Sequence, residues 1–500
     1  MDLDLSLASY FVLFLTFLLI LNVLKSWNEN HIKNYPPGPR SWPLIGNLHI
    51  LNFRKPYLTY MQLSKKYGPV FSVQLGMKKM VVIAGYEAVK EALVNKAEEF
   101  GERGTLKIFK KMDNDMGVVF SKGINWKIMR RFTITTLRDF GMGKNTIEEK
   151  IIEECVHLNK YFASFKGKPF ETTLILNSAV ANIIVVILLG NRMDYDDPQF
   201  RRLLNLTSEN VRLVGTPMVL LYNMFPFFDL FPGSHKKIGK NTSEIYDFVR
   251  TTFVEHLKNL DENDQRSLID AFLVRQKEEA GSSQSYFHNE NLSKLVRNLF
   301  TAGMETTSTT LRWGILLMIK YPDIQEKVQE EISRVIGSAQ PMYSHRVQMP
   351  YTNAVIHEIQ RFTDIVPLNL GHETTKDVTF KGYFIPKGTF IIPLLTSVLR
   401  DKTQFEKADD FYPPHFLDSK GNFLKKDAFM PFSAGRRVCI GETLARTELF
   451  IFFTTLMQKF TFHFPPGVTD MDFSPVGGVT NTPKPHMICA VPRGLHNSAV

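Results

Sequence analysis

Cys439 carries the clearest chemical promise in this chain. It lies in F-S-A-G-R-R-V-C-I-G, residues 432–441, and an apolar helical run, L-A-R-T-E-L-F-I-F-F-T-T-L-M, follows almost at once. That order predicts a sulfur at a helix N-terminus, where backbone N–H groups and the helix dipole favour a thiolate, the form that binds metal. Phe432 opens the loop, Gly435 and Gly441 let the backbone approach a large flat ligand, and Arg437 stands two residues before the sulfur to meet an anion. A thiolate beside cations suits haem, whose iron takes an axial cysteine and whose propionates need partners. The bland alternative is a small buried hydrophobe.

A second group, A-G-M-E-T-T-S at residues 302–308, interrupts a long helical pattern from Leu292 to Tyr321. Gly303 opens space beside the helix, and Glu305 with Thr306 offers a carboxylate and a hydroxyl able to relay protons through water. Threonine back-bonding to a carbonyl is the plain structural alternative. Trp126 and Arg130, four apart, share a helix face, as do Glu358 and Arg361, three apart. Lys127, Arg131 and Arg138 lie on or just after the Trp126 segment. With Arg436 they make a basic face suited to an acidic redox partner, the alternative being solvated surface.

Together these motifs resemble the cytochromes P-450. Phe432, Gly435, Arg437, Cys439 and Gly441 match that family's haem-binding loop, with Cys439 as the axial ligand of the iron. A-G-x-[DE]-T matches its oxygen-activating helix, with Glu305 and Thr306 as the acid–alcohol pair and Met304 in the variable position. Glu358, Arg361 and His415 match its buried structural clamp. The resemblance gives Trp126, Arg130, Arg103 and His372 the role of meeting the haem propionates. Phe109, Phe300, Ala302, Ile365, Val366 and Val479 become candidates for an apolar substrate pocket. Asn298 stands where many relatives place an aspartate, with Arg297 beside it, and Gly371 replaces a proline common among them.

The resemblance runs from the N-terminus to about Arg493. Y-N-M-F-P and L-R-W-G-I-L-L-M-I-K-Y-P look like vertebrate microsomal family 2, most similar to its subfamily K. It implies a fold that is mainly α with a smaller β region, α+β, holding haem b. It implies monooxygenation of lipophilic substrates such as fatty acids, xenobiotics or steroids, with NADPH and flavins reached only through a reductase partner. Cytochrome b5 is a further candidate partner, and the endoplasmic reticulum membrane the expected address. An isomerase or dehydratase acting on a peroxide substrate without a reductase is the alternative enzyme class, and a haem sensor or lipid carrier the non-enzymatic one.

The elements that must position these groups are legible around them. Of 500 residues 44% are hydrophobic and 40 are Phe, which supports one extensive core, and no Gly/Ser linker or internal repeat divides it. Residues 1–34 are expected to be a membrane anchor, with a helix at about 3–24 and a basic flank. Leu5 to Leu24 is free of charge and long enough to span a bilayer, and Lys25, Lys33 and Arg40 after it place the remaining chain in the cytoplasm. Residues 35–48, Y-P-P-G-P-R-S-W-P-L-I-G-N-L, read as a stiff proline-rich hinge, and 49–500 as the catalytic domain.

Residues 57–67 predict a helix, followed by a hairpin of two strands, and Tyr222 to Pro232 a mobile apolar lid or membrane-dipping loop, with ordinary core packing as the equal alternative. Residues 380–394 read as strand, turn, strand, and the C-terminal M-I-C-A-V as an edge strand. Three cysteines argue against a disulfide framework, with Cys155 and Cys489 as packing residues. The net charge of +10 suits a membrane surface or an acidic protein. No zinc-finger spacing or RNA-binding motif accompanies it, which disfavours nucleic acid.

Overall fold

The proline-rich stretch leads straight into a sheet. In the computed structural model, which describes residues 9, 10, 12–14, 16, 17 and 33–494 apart from 144, 282, 283 and 470, Ser72 N donates to Pro37 O (2.7 Å) and Ser72 Oγ to Pro36 O (2.9 Å). A Cβ on Gly38 would lie 2.1 Å from Ser72 O, so only glycine permits this approach. Pro36, Pro37 and Gly38, within the expected proline-rich hinge of residues 35–48, thus lie directly against Ser72. The anchor expected at 3–24 falls largely outside the described residues. Among those described, no helix is long and apolar enough to cross a membrane.

Helix α1 (Pro56–Tyr67) precedes the hairpin of β1 (Val70–Leu75) and β2 (Lys78–Ala84), both as the periodicity predicts. Then come β3 (Glu102–Arg103), α2 (Lys107–Asp113), α3 (Gly123–Asp139), α4 (Asn145–Ser164), β4 (Phe170–Glu171), α5 (Thr173–Leu189), α6 (Pro198–Val214) and α7 (Ser234–Lys258). The spine is α8 (Asn289–Lys320), 32 residues and so about 48 Å long. His288 caps its start by accepting from Asn291 N, and Pro322 follows its end. Nearly all of α5 is buried, which is why its apolar residues run all the way round it, and it packs along α8.

Beyond α8 lie α9 (Pro350–Thr363), the short strands β5 (His372–Glu373), β6 (Val378–Phe380) and β7 (Tyr383–Ile385), β8 (Phe390–Leu394), α10 (Glu442–Lys459), β9 (Phe460–His463) and β10 (Met487–Pro492). The main sheet has the order β1-β2-β8-β5-β3, with β2 and β8 parallel. The expected strand pair over 380–394 divides differently: Lys381 and Gly382, both at positive φ, turn β6 into β7, and β8 leaves for the main sheet. A second sheet runs β4-β10-β9, so the C-terminal strand is central and not an edge. β10 has partners on both sides, which the sequence pattern of one strand cannot reveal. Cys155 and Cys489 are free and buried.

Candidate active site

Cys439 precedes α10, whose N-cap is Gly441. Its N–H donates to Phe432 O (3.0 Å), and the Gly441 N–H bonds the sulfur. The side chain is enclosed by protein yet reachable by solvent, because its free side opens into a cavity of about 350 Å³ that it helps to line. Burial pushes the Cys439 thiol up, while the Gly441 amide, Arg130 and Arg103 pull the other way. On balance burial outweighs them. A metal cation bound at the sulfur would add to the pull of the amide and the arginines and favour the thiolate. Gly435 has φ +71° with its Cβ position 1.7 Å from Leu93 O, so the loop lies directly on the backbone beneath it.

Three arginines converge beside this loop on the same cavity: Arg103, Arg130 and Arg437. Arg437 donates from Nε to Gly101 O (2.9 Å) and pairs with Glu102 (3.0 Å), and its other terminal nitrogen is buried without a partner. Its guanidinium stands 3.8 Å from the centre of the Trp126 ring. Arg130 donates to Val438 O (2.9 Å), and Arg103 to Val119 O (3.1 Å) and Leu370 O (3.2 Å). Burial pushes Arg103 down to about 9 and Arg437 down to about 10, and each is lowered further by neighbouring arginine charge. Three inward-facing cations with one paired carboxylate between them call for an anionic ligand.

His372 stands behind this group and not on the cavity wall. Burial holds it neutral, pushed down to about 3, so its Nδ1–H donates to Phe100 O (2.7 Å) while Nε2 accepts from Arg103 (3.0 Å). It orients the arginine.

Across the cavity, α8 presents Ala302, Gly303, Glu305 and Thr306. Thr306 Oγ1 donates to Ala302 O (2.9 Å), the back-bonding geometry. A Cβ on Gly303 would meet Ile184 Cδ1 at 2.6 Å, so the space expected there is filled by α5. Glu305 is buried, its carboxyl pushed up to about 7 by desolvation against the opposing effect of Arg312. Phe109, Ile365, Val366 and Val479 join Ala302 on the wall. Phe300 does not: two residues from Ala302 turns it about 200° round the helix, and it lines a separate void with Val185 and Leu189.

Asn298 and Arg297 are largely used up internally. Asn298 Oδ1 accepts from Val118 N and Val119 N (both 3.1 Å), and Arg297 pairs with Asp113 and donates to Tyr246 Oη (3.0 Å). They pin residues 113–119 over the cavity. At Gly371 a Cβ would lie 2.2 Å from the Phe390 ring, which occupies that space.

Glu448 was missed by sequence reasoning. It lines the cavity from α10, fully buried, with Oε1 unpartnered and the carboxyl pushed up to about 8 by burial. Its signal was available: an acid inside the apolar run that follows Cys439. Glu358 and Arg361 pair at 2.7 Å with no exposure, and His415 Nδ1 lies 3.2 Å from Glu358. Lys127, Arg131, Arg138 and Arg436 are all exposed, and among the described residues none forms an ion pair. Their spacing on α3 puts Lys127, Arg131 and Arg138 on one face.

A cysteine at the head of a helix, a buried cationic cluster beside it and an acid–alcohol pair opposite suit a haem: the sulfur for the iron, the orphaned Arg437 nitrogen for a propionate. That set, on a helix-rich fold with one larger sheet, defines a haem-thiolate oxidoreductase. The chain matches the family model of the cytochromes P-450 over residues 36–490 and belongs to that family. It is 49% identical to cytochrome P-450 2K1 of Oncorhynchus mykiss, covering 95% of this chain and 96% of that one. It is 52% identical to cytochrome P-450 2K6 of Danio rerio over 90% of each, and 47% identical to cytochrome P-450 2C11 of Rattus norvegicus over 96% of each. Family and relatives make it a haem-thiolate monooxygenase with haem b as cofactor.

Proposed function

We propose that the protein is a microsomal monooxygenase that takes electrons from NADPH through a flavoprotein reductase and hydroxylates lipophilic substrates. The observation that carries the reading is the cavity itself, with Cys439 and three arginines on one side and Ala302 to Thr306 on the other. Overall, substrate R–H, O2, NADPH and a proton give R–OH, water and NADP+. Bound haem supplies the binding and reduction of oxygen, with the Cys439 thiolate on its iron favouring O–O cleavage.

The chain's own residues do the rest. Arg103, Arg130, Arg437 and Trp126 hold the propionates and His372 orients Arg103. Phe109, Ala302, Ile365, Val366 and Val479 make the wall on which an apolar substrate lies, which favours fatty acids or xenobiotics. Thr306 and Glu305 hold the proton that leaves with the oxygen atom released as water. Exposed Lys127, Arg131, Arg138 and Arg436 offer the reductase a basic face, and cytochrome b5 could use the same charges.

Supporting a membrane address, Phe227, Leu230 and Phe231 are exposed between α6 and α7, with Leu230 at 85%. With the charge-free stretch Leu5 to Leu24, they suit the endoplasmic reticulum membrane with the catalytic domain on the cytoplasmic side.

The test is the absorption spectrum of the reduced, carbon-monoxide-bound protein beside Cys439→Ala. A strongly red-shifted Soret band is expected in the wild type and not in the variant. Folded, haem-loaded wild type without that band would end the assignment. Reductase-dependent NADPH consumption matched to product would then separate oxygenation from isomerisation.

A further inference from the structure

Glu442 stands first in α10, three residues after Cys439. A carboxylate there suits the helix N-terminus, where the dipole favours negative charge. The same charge works against a thiolate: together with burial it pushes the Cys439 thiol up. Two demands on one short segment conflict, and a fixed cation beside Glu442 reconciles them.

Arg446, one turn further along α10, supplies that cation. Its Nε and Nη2 both donate to Glu442 Oε1 (2.9 and 2.8 Å), and its Nη1 donates to His357 Nε2 on α9 (3.0 Å). The guanidinium carbon lies 5.1 Å from the centre of the Phe432 ring and 5.6 Å from that of Phe429. Phe432 is the residue whose carbonyl takes the Cys439 N–H (3.0 Å). The arginine is thus held against both ends of the loop that carries the sulfur.

His357 decides where the guanidinium points. Its Nδ1–H donates to Asn353 O (2.8 Å), which leaves Nε2 as the acceptor for Arg446. The rings of Phe423, Phe429 and Phe416 stand around the imidazole, with centres 4.6, 4.8 and 5.5 Å away. Burial and the Arg446 charge push it down to about 3, so it stays neutral and keeps accepting. A neutral histidine orients the cation without cancelling its charge.

We propose that Arg446, oriented by His357, is the positioning residue that balances Glu442 beside the sulfur and so sets the reduction potential of the haem that Cys439 holds. The proposal rests on the reading of Cys439 as the axial ligand. An unopposed carboxylate near the sulfur disfavours an added electron on the iron and favours a proton on the thiolate, and the paired guanidinium offsets both effects. Arg446, His357 and Glu442 are not among the residues that line the cavity, so they act on the sulfur loop and not on substrate. Arg446 and Glu442 are 27% and 34% exposed, which lets solvent screen the pair in part.

The test is the reduction potential of the haem-loaded protein, read beside its reduced carbon monoxide spectrum, for wild type, Arg446→Met, Glu442→Gln, the double variant and His357→Phe. Arg446→Met should make the iron about tenfold harder to reduce, about 59 mV for one electron, and enlarge the fraction lacking the red-shifted band. Glu442→Gln should shift the potential the opposite way. The double variant should return close to wild type, which a merely structural loss at Arg446 would not do. His357→Phe should lower the potential by less than Arg446→Met, and no shift there would overturn the orienting role of His357. If Arg446→Met fails to take up haem, Glu442→Gln carries the test alone, and a wild-type potential in it overturns the charge balance. A double variant as low as Arg446→Met overturns it too. In either case a normal wild-type band leaves Cys439 in place as the ligand, whereas folded, haem-loaded wild type without that band ends both readings.

Discussion

Arg361→Met deletes a fully buried guanidinium that donates five hydrogen bonds, two to Glu358 and one each to Leu399 O, Ala408 O and Asp410 O. Three carbonyls from the chain between α9 and α10 are left unpaired, at about 1–3 kcal/mol each, so about 3–9 kcal/mol is at stake. Glu358 retains Tyr412 N (2.7 Å) and His415 (3.2 Å). Glu358→Gln differs in kind: the carbonyl bonds survive, but the guanidinium is left without a countercharge and cannot deprotonate, at about 3–5 kcal/mol.

Against a total stability of about 5–15 kcal/mol, the expected order of stability is wild type, then Glu358→Gln, then Arg361→Met, the last retaining little haem. The assay is haem content after purification together with the half-life at fixed temperature, since a protein of this size inactivates irreversibly. Glu358→Met with Arg361→Met should not recover wild-type stability, because the three carbonyls stay orphaned. Full recovery in the double variant, or an Arg361→Met protein as durable as wild type, would refute the carbonyl argument.

Glu448, pushed up to about 8 from 4.5, binds a proton in the folded state that the unfolded chain releases. Its contribution is present at low pH and lost as pH rises through 8: going from about pH 6 to about pH 8 costs the wild type about 2 kcal/mol. Glu448→Gln should lack that part of the decline, and denaturation curves that fall equally in both proteins would count against a neutral buried acid. Gly435→Ala drives a Cβ into Leu93 O and should abolish haem incorporation, read as loss of the reduced carbon monoxide band; normal haem loading would show that the loop can shift. Thr306→Ala removes the hydroxyl opposite the thiolate and should divert reducing equivalents to hydrogen peroxide at unchanged haem content, which NADPH-to-product stoichiometry measures.

Local patterns in the sequence accounted for much of this molecule. The helical run after Cys439, the hairpin at residues 70–84 and the long helix through Glu305 follow from periodicity and from glycine and proline placement, which are properties of neighbouring residues. The two motifs that meet across the cavity are likewise readable, because their chemistry requires residue types at fixed short spacing. Nonlocal packing settled the rest. The strand of Cys489 is central because β4 and β9 come to it from elsewhere in the chain, and Phe300 leaves the pocket because the helix turns it toward α5. The burial that pushes the Cys439 thiol up likewise comes from segments distant in the chain. Glu448 belongs to the same class: whether a polar atom finds a partner depends on every segment that surrounds it, and only the assembled fold brings those segments together.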